Sequence, residues 1–320
     1  MSAAGGLLLH EWALAGHAAG LTLPAGREVQ LPVPGPHPRR ARLPELALTL
    51  AQAALSPRSP RPDCAVLLGT ALGSLTETET FLEGVVGPDS DVRPRAFTSS
   101  VHNAAAGHVA RAFGARGENQ TFVQGELSPA LAAFAALALR ARGEQGPVLL
   151  GAVDECTPRA AEVRRACKGE GPWAAGEGGA VLYAGAPDEA DPPLARLTRV
   201  ALGRPRDPAA WLQRELAREP WAGLLLALAP PAAPGTGGSA AGHEQAPELE
   251  LPVDAVSLAP RAGAHPALGA AGLALAAALL GGEMLPATLG LPLAARPPHL
   301  GVVLSSRTGE WALVRLEAAG

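Results

Sequence analysis

The residues best placed to do chemistry lie in one stretch, Gly117-Glu-Asn-Gln-Thr-Phe-Val-Gln-Gly-Glu-Leu-Ser-Pro129. Thr121-Phe122-Val123 is a short β-favouring run, and Gln124-Gly125-Glu126 reads as a turn. Ser128 and Pro129 then open an apolar helix, as an N-cap hydroxyl and a proline at the first helical position. Leu127, Leu131, Phe134 and Ala138 repeat at helical spacing to about Arg142. A strand, an elbow and a helix pointing back at the elbow gather backbone N–H groups and the positive end of a helix dipole. That environment favours an anion or a thiolate. The titratable group the elbow carries is Glu126, which balances the dipole of the helix it precedes.

Other reactive residue types are spread thinly. Cys64, Cys156 and Cys167 have neither metal-ligand spacing nor the count of a disulfide framework, which fits a reducing cytoplasmic compartment. Asp154-Glu155 closes an apolar run and reads as a strand-end turn; no histidine or third carboxylate accompanies it to hold a metal. Gly235-Thr-Gly-Gly238 lacks the Lys-Ser/Thr and the strand–turn–helix frame of a phosphate cradle and reads as a loop. His102 and His108 read as hydrogen-bonding helix residues, and His265 as the residue before a proline-initiated helix. No cofactor is expected. A net charge of -4 gives no basic face for nucleic acid. The longest apolar stretch, Leu268 to Leu280, is too short to cross a bilayer and reads as a buried helix.

The elements that must position the elbow follow from the pattern of apolar runs. Aromatics make up only 3 % of the chain, so Leu, Val and Ala must fill the core. Strands are expected over residues 6–14, 64–68, 121–123, 147–153, 179–183, 194–202, 224–228 and 253–258, with a closing hairpin of 301–304 and 311–316. Helices are expected over 43–55, 76–82, from Thr98 with Val101, Ala105, Val109 and Ala112 on one face, from Ser128, from Asp207 to Arg218, and over 266–281. Residues 20–42, 86–97 and 230–247 read as loops. The strand runs are continuously apolar, as in parallel sheets covered on both faces, so two similar βα halves around a shared core are expected.

Several of these stretches together resemble the β-ketoacyl synthases of the thiolase fold, and most nearly their short chain-length-factor-like members. They are Ala65-Val-Leu-Leu-Gly-Thr70, Ser100-Val-His-Asn-Ala-Ala-Ala-Gly107, Gly117 to Ala132, Gly151-Ala-Val-Asp-Glu155, Gly176-Glu-Gly-Gly-Ala-Val181 and Gly263-Ala-His-Pro-Ala-Leu-Gly-Ala-Ala-Gly272. The resemblance covers roughly residues 45–320. It implies an α/β thiolase-like fold with a layered αβαβα core, residues 1–192 forming one half and 193–320 a shortened second half.

In that family a cysteine at the elbow carries the acyl chain and two histidines stabilise the developing oxyanion. The resemblance puts Glu126 at the cysteine position, Pro234 of Pro234-Gly-Thr-Gly-Gly238 at the first histidine and His265 at the second. Arg261 lies one position off the family lysine, and Ser305-Ser-Arg-Thr-Gly-Glu310 replaces a glycine-rich loop of the oxyanion pocket. Glu126 is therefore either a substituted nucleophile position in a retained acyl pocket or an elbow residue that caps its helix. The implied role is a non-condensing partner of an active ketosynthase subunit, or a homodimer, working with acyl carrier protein and packing edge to edge around Phe122-Val123. Two other roles stay open: a thioester decarboxylase or hydrolase using Glu126 as base and His265 as donor, and a scaffold that only binds acyl carrier protein.

Overall fold

The computed structural model describes residues 2–16, 21–32, 41–56, 58–59, 61–87, 94–168, 176–186, 190–228, 251, 253–258, 267–293, 296–306 and 308–319. In chain order the elements are β1 (Ser2–Ala15), α1 (Arg42–Leu55), β2 (Ala65–Gly69), α2 (Leu75–Val86), α3 (Pro94–Ser100), α4 (Ala104–Phe113), β3 (Asn119–Phe122), α5 (Ser128–Ala141), β4 (Val148–Asp154), α6 (Pro158–Lys168) and β5 (Gly178–Ala184). They continue with β6 (Ala195–Gly203), α7 (Pro208–Leu216), β7 (Leu224–Ala227), β8 (Ala255–Ser257), α8 (Leu268–Gly281), β9 (His299–Ser305) and β10 (Trp311–Ala318).

The sheet runs β3-β2-β4-β5-β1-β6-β10-β9-β7-β8. Read outward from its centre, each side has the same connectivity: first, fifth, fourth, second and third strand of its own set. The duplication expected from the alternating pattern is thus present, and the two sets join where β1 meets β6 antiparallel, Leu7 opposite Leu197. The sheet is mixed, which corrects the parallel expectation. β2 runs parallel to β3 and β4, but β4–β5, β5–β1, β6–β10 and β10–β9 are antiparallel. Continuous apolar runs mark burial on both faces, and central antiparallel strands meet that condition equally well.

Helices α5 and α8 occupy equivalent places, after the third strand of each set. Each touches strands of both sets, so they form the inner helical layer. Every residue of α8 from Leu268 to Leu280 is buried, as its all-round apolar sequence requires. α1 and α4 cover the outer face of the first set, packing Leu43, Leu46, Leu50 and Val109 against Val66 and Leu68. α7 covers the second, with Leu212 and Leu216 against Leu224, Val303 and Trp311. Its start is the expected one: the Asp207 carboxylate accepts the Ala210 N–H at 2.9 Å. The β9–β10 hairpin pairs Ser305 with Trp311, also as expected.

Two local expectations change. Part of the stretch read as a loop, 86–97, is helical from Pro94, and the helix expected from Thr98 is broken at Val101–Asn103. Only Ala105 and Val109 of its expected apolar face are buried, together with Ala104 and Ala106. On α5, Leu131, Phe134 and Ala138 are half-buried, while Ala130, Ala132, Ala133, Ala136, Leu137 and Leu139 are buried. A helix held between strands of two sets needs small residues where it meets them, and four of these six buried residues are alanines.

Candidate functional site

The elbow is built as a tight turn that runs straight into α5. The Leu127 N–H donates to the Gln124 carbonyl at 3.1 Å, and the Ser128 N–H to the Gly125 carbonyl at 3.2 Å. Gly125 has φ +55°, the left-handed region that a glycine enters at little steric cost. Ser128 is the first helical residue and makes no N-cap bond to the helix, which corrects the capping role expected for it. Its Oγ instead accepts the Gln124 N–H at 2.8 Å and lies 2.9 Å from both the Thr70 and Gly125 carbonyl oxygens, to one of which it donates.

That hydroxyl ties the elbow to the end of β2. The Thr70 N–H donates to the Phe122 carbonyl at 2.9 Å. Thr70 Oγ1 and the Ala71 N–H both donate to Asp154 Oδ1, at 3.0 and 2.7 Å. Asp154 is buried at the end of β4, so one buried carboxyl oxygen anchors the loop that backs the elbow. Gly69 makes the close approach possible: a Cβ there would lie 2.7 Å from Ser128 Cβ and 2.8 Å from its carbonyl carbon.

Glu126 is 6 % exposed and sits at the mouth of α5. The start of the second inner helix comes to the same place, since a Cβ on Gly269 would lie 3.3 Å from Pro129 Cγ. The two helix N-termini therefore converge near Glu126, and their dipoles favour a negative group there. His265, Pro234, Arg261 and the Gly235–Gly238 run lie outside the described residues. So does Arg307, while Ser306 and Glu310 close the hairpin turn through a bond from the Ser306 N–H to the Glu310 carbonyl at 2.8 Å.

The elbow stretch, residues 117–129, contains no cysteine. Cys64 is buried just before β2, and burial pushes its thiol up to about 12. It is expected to resist iodoacetamide at pH 8 in the folded chain and to react once denatured; labelling of native Cys64 seen by mass spectrometry would contradict that burial. Cys156 follows β4, half-buried, and the side chain of Cys167 is not described. His108 lies on α4 within 3.4 Å of Arg111. His102 falls in the break between α3 and α4, against Gly73, rather than on a helix.

Among the described residues no group of three or more His, Cys, Asp or Glu side chains could hold a metal, and no helix is long and apolar enough to cross a membrane. Two surface clefts, of about 630 and 510 Å³, are lined by residues such as Leu216 and Trp221 and by Arg95 and Arg111, and by none from the elbow. Sequence reading placed the elbow but missed Asp154 as its anchor. An acid ending an apolar strand was the one available signal.

The chain is similar to several solved structures over nearly its whole length. "The ishigamide ketosynthase/chain length factor" is 23 % identical with a TM-score of 0.71, covering 99 % of this chain and 100 % of that one. A type II PKS acyl-carrier protein in complex with its ketosynthase, AntDE:AntF, gives 12 % and 0.70 over 99 % and 100 %. A beta-ketoacyl synthase from Burkholderia phymatum STM815 gives 15 % and 0.68 over the full length of both. These likenesses establish the thiolase-like fold. No curated protein matches. The sequence profile of the beta-ketoacyl synthase N-terminal domain matches residues 16–178, just over half of the chain and the part that carries the elbow, its Asp154 anchor and β2 to β4; the chain belongs to the beta-ketoacyl synthase family.

Proposed function

We propose that this protein is a chain-length-factor-like subunit that does no condensation itself and pairs with an active ketosynthase working on acyl carrier protein, in a cytoplasmic pathway of fatty acid or polyketide assembly. One observation carries the reading: the elbow keeps its turn, its helix and its buried anchor, and bears Glu126 where the family's acyl-accepting cysteine is expected. A carboxylate is a poor acceptor from a thioester, because the mixed anhydride is higher in energy and hydrolyses readily. Residues 1–192 and 193–320 are the two halves of this subunit. Support for the partners comes from the similar structures, one a ketosynthase/chain length factor and another solved with its acyl-carrier protein.

The partner's place is the open edge of β3, which among the described residues pairs with β2 alone at the end of the sheet. Val123 beyond it is 38 % exposed. The test is reconstitution with an intact ketosynthase and a loaded acyl carrier protein. The mixture is expected to form a stable complex and to change the length of the product, while this chain alone makes none. Turnover of malonyl or acyl thioesters by this chain alone, lost in Glu126→Ala, would overturn the proposal in favour of a decarboxylase or hydrolase.

A further inference from the structure

The Asp154-Glu155 pair does more than end a strand. Glu155 is buried, and its carboxyl bridges two helix N-termini. Oε2 accepts the Leu43 N–H of α1 at 3.1 Å, and Oε1 accepts the Thr76 N–H of α2 at 3.4 Å. The two helices differ in how they are held. α1 buries eight residues, among them Leu43, Leu46, Leu50 and Leu55. α2 buries none in its 12 residues and rests chiefly on α3 and α6. It leaves Leu82, Val85 and Val86 in solvent, Val86 at 80 %.

The N-terminal half of α2 is fastened by the segment that follows β4. Besides Glu155, Thr157 Oγ1 lies 2.5 Å from Thr76 Oγ1, and Arg159 pairs with Glu79 at 2.8 Å. A helix with polar fastenings and no buried side chain opens locally at a lower free energy than the core does. We propose that α2 is a flap clasped to the core by Glu155, and that proton binding at this clasp sets how readily the flap opens. The loop that leads into α2, Thr70 to Ser74, backs the elbow through the Thr70 carbonyl. Opening of α2 therefore loosens one end of the loop that backs the candidate site.

The electrostatics give the sign. Burial pushes the Glu155 carboxyl up to about 7; the N–H groups of Thr76 and Leu43 pull against that, and Asp154 and Glu177 add to it. The other charged groups around the clasp are engaged. Arg42 of α1 pairs with Glu177 and Glu45, Arg159 of α6 pairs with Glu79 and Glu162, and burial pushes the Glu77 carboxyl of α2 up against the pull of Arg95, so it adds a smaller slope of the same sign. Cys156, next in the chain, gives its N–H to Glu177. Once the flap opens, water reaches the carboxyl and it returns to its ordinary value of 4.5. Between 4.5 and 7 the closed form holds a proton that the open form releases, so rising pH favours opening until both forms are ionised. From pH 5 to pH 8 the opening constant is expected to rise roughly 70-fold.

Hydrogen exchange of the full chain from pH 5 to pH 8, corrected for the intrinsic pH dependence of amide exchange, tests this. Amides of α2 are expected to lose protection as pH rises while those of α8 do not. In Glu155→Gln most of the slope should vanish, leaving the smaller part due to Glu77, and in Thr157→Ala opening should increase at every pH with the slope kept. Constant α2 protection in the unaltered chain would overturn the proposal. So would an undiminished slope in Glu155→Gln, or α2 and α8 losing protection together.

Discussion

Gly69→Ala is expected to destabilise the chain by about 3 kcal/mol, and to disorder the elbow before the rest of the fold. The added methyl would lie 2.7 to 2.9 Å from Ser128 Cβ, carbonyl carbon and carbonyl oxygen. Two of those atoms are backbone at the start of α5, so no rotamer change relieves the contact. Either β2 or α5 must shift, and both carry the hydrogen bonds that join Thr70, Ser128 and Gln124. Urea unfolding followed by circular dichroism measures the loss. Gly107→Ala is the control, because a Cβ there meets nothing within 4 Å and the residue lies inside α4. Alanine at such a helix position should raise stability by about 0.5 to 1 kcal/mol. Equal effects at the two glycines would mean that the approach of α5 to β2 does not matter.

Thr121→Pro is expected to leave the chain folded and to weaken the proposed complex with a ketosynthase by about 100-fold or more, an order-of-magnitude figure for a lost strand pairing at the centre of an interface. In the parallel ladder with β2, Val66 and Thr70 donate to the carbonyls of Glu118 and Phe122. The even-numbered residues of β3 therefore face β2, and the N–H groups of Asn119 and Thr121 face the open edge. Proline at 121 removes an outward donor without breaking a bond to β2, which is where an edge strand tolerates it. The Thr121 hydroxyl makes no hydrogen bond among the described residues, so its removal adds little. Size-exclusion chromatography and calorimetry of the mixture give the readout. Undiminished binding by a folded Thr121→Pro chain would move the interface away from β3.

Local chemistry made much of the fold legible. Strand runs of Leu, Val and Ala, the Asp207-Pro208 start of α7 and the all-round apolar α8 are signals that survive any tertiary setting, and each appears where the residues put it. Sidedness was less legible. In α5, alanine and leucine alternate so closely that the period does not say which stripe meets the sheets, and the stripe built on Leu131 and Phe134 proved to be the more exposed one. Strand direction was also hidden, because an apolar run reports burial on two faces and not the sense of its neighbours. The helix break at Val101–Asn103 carries neither proline nor glycine, so nothing in the residues announced it.

The sequence by itself determined that a strand, an elbow and a helix stand in the middle of the first half, and that the elbow bears a carboxylate and no thiol, because these depend on residues within a dozen positions of one another. Only the tertiary structure decided what holds that elbow. The bond from Ser128 to Thr70 spans 58 positions, that from Thr70 to Asp154 spans 84, and the Glu155 clasp on Leu43 spans 112. A hydroxyl or a buried acid has no periodic signature. Its partner is chosen by which strands lie side by side, and that is fixed only when the duplicated sheet closes around its two inner helices.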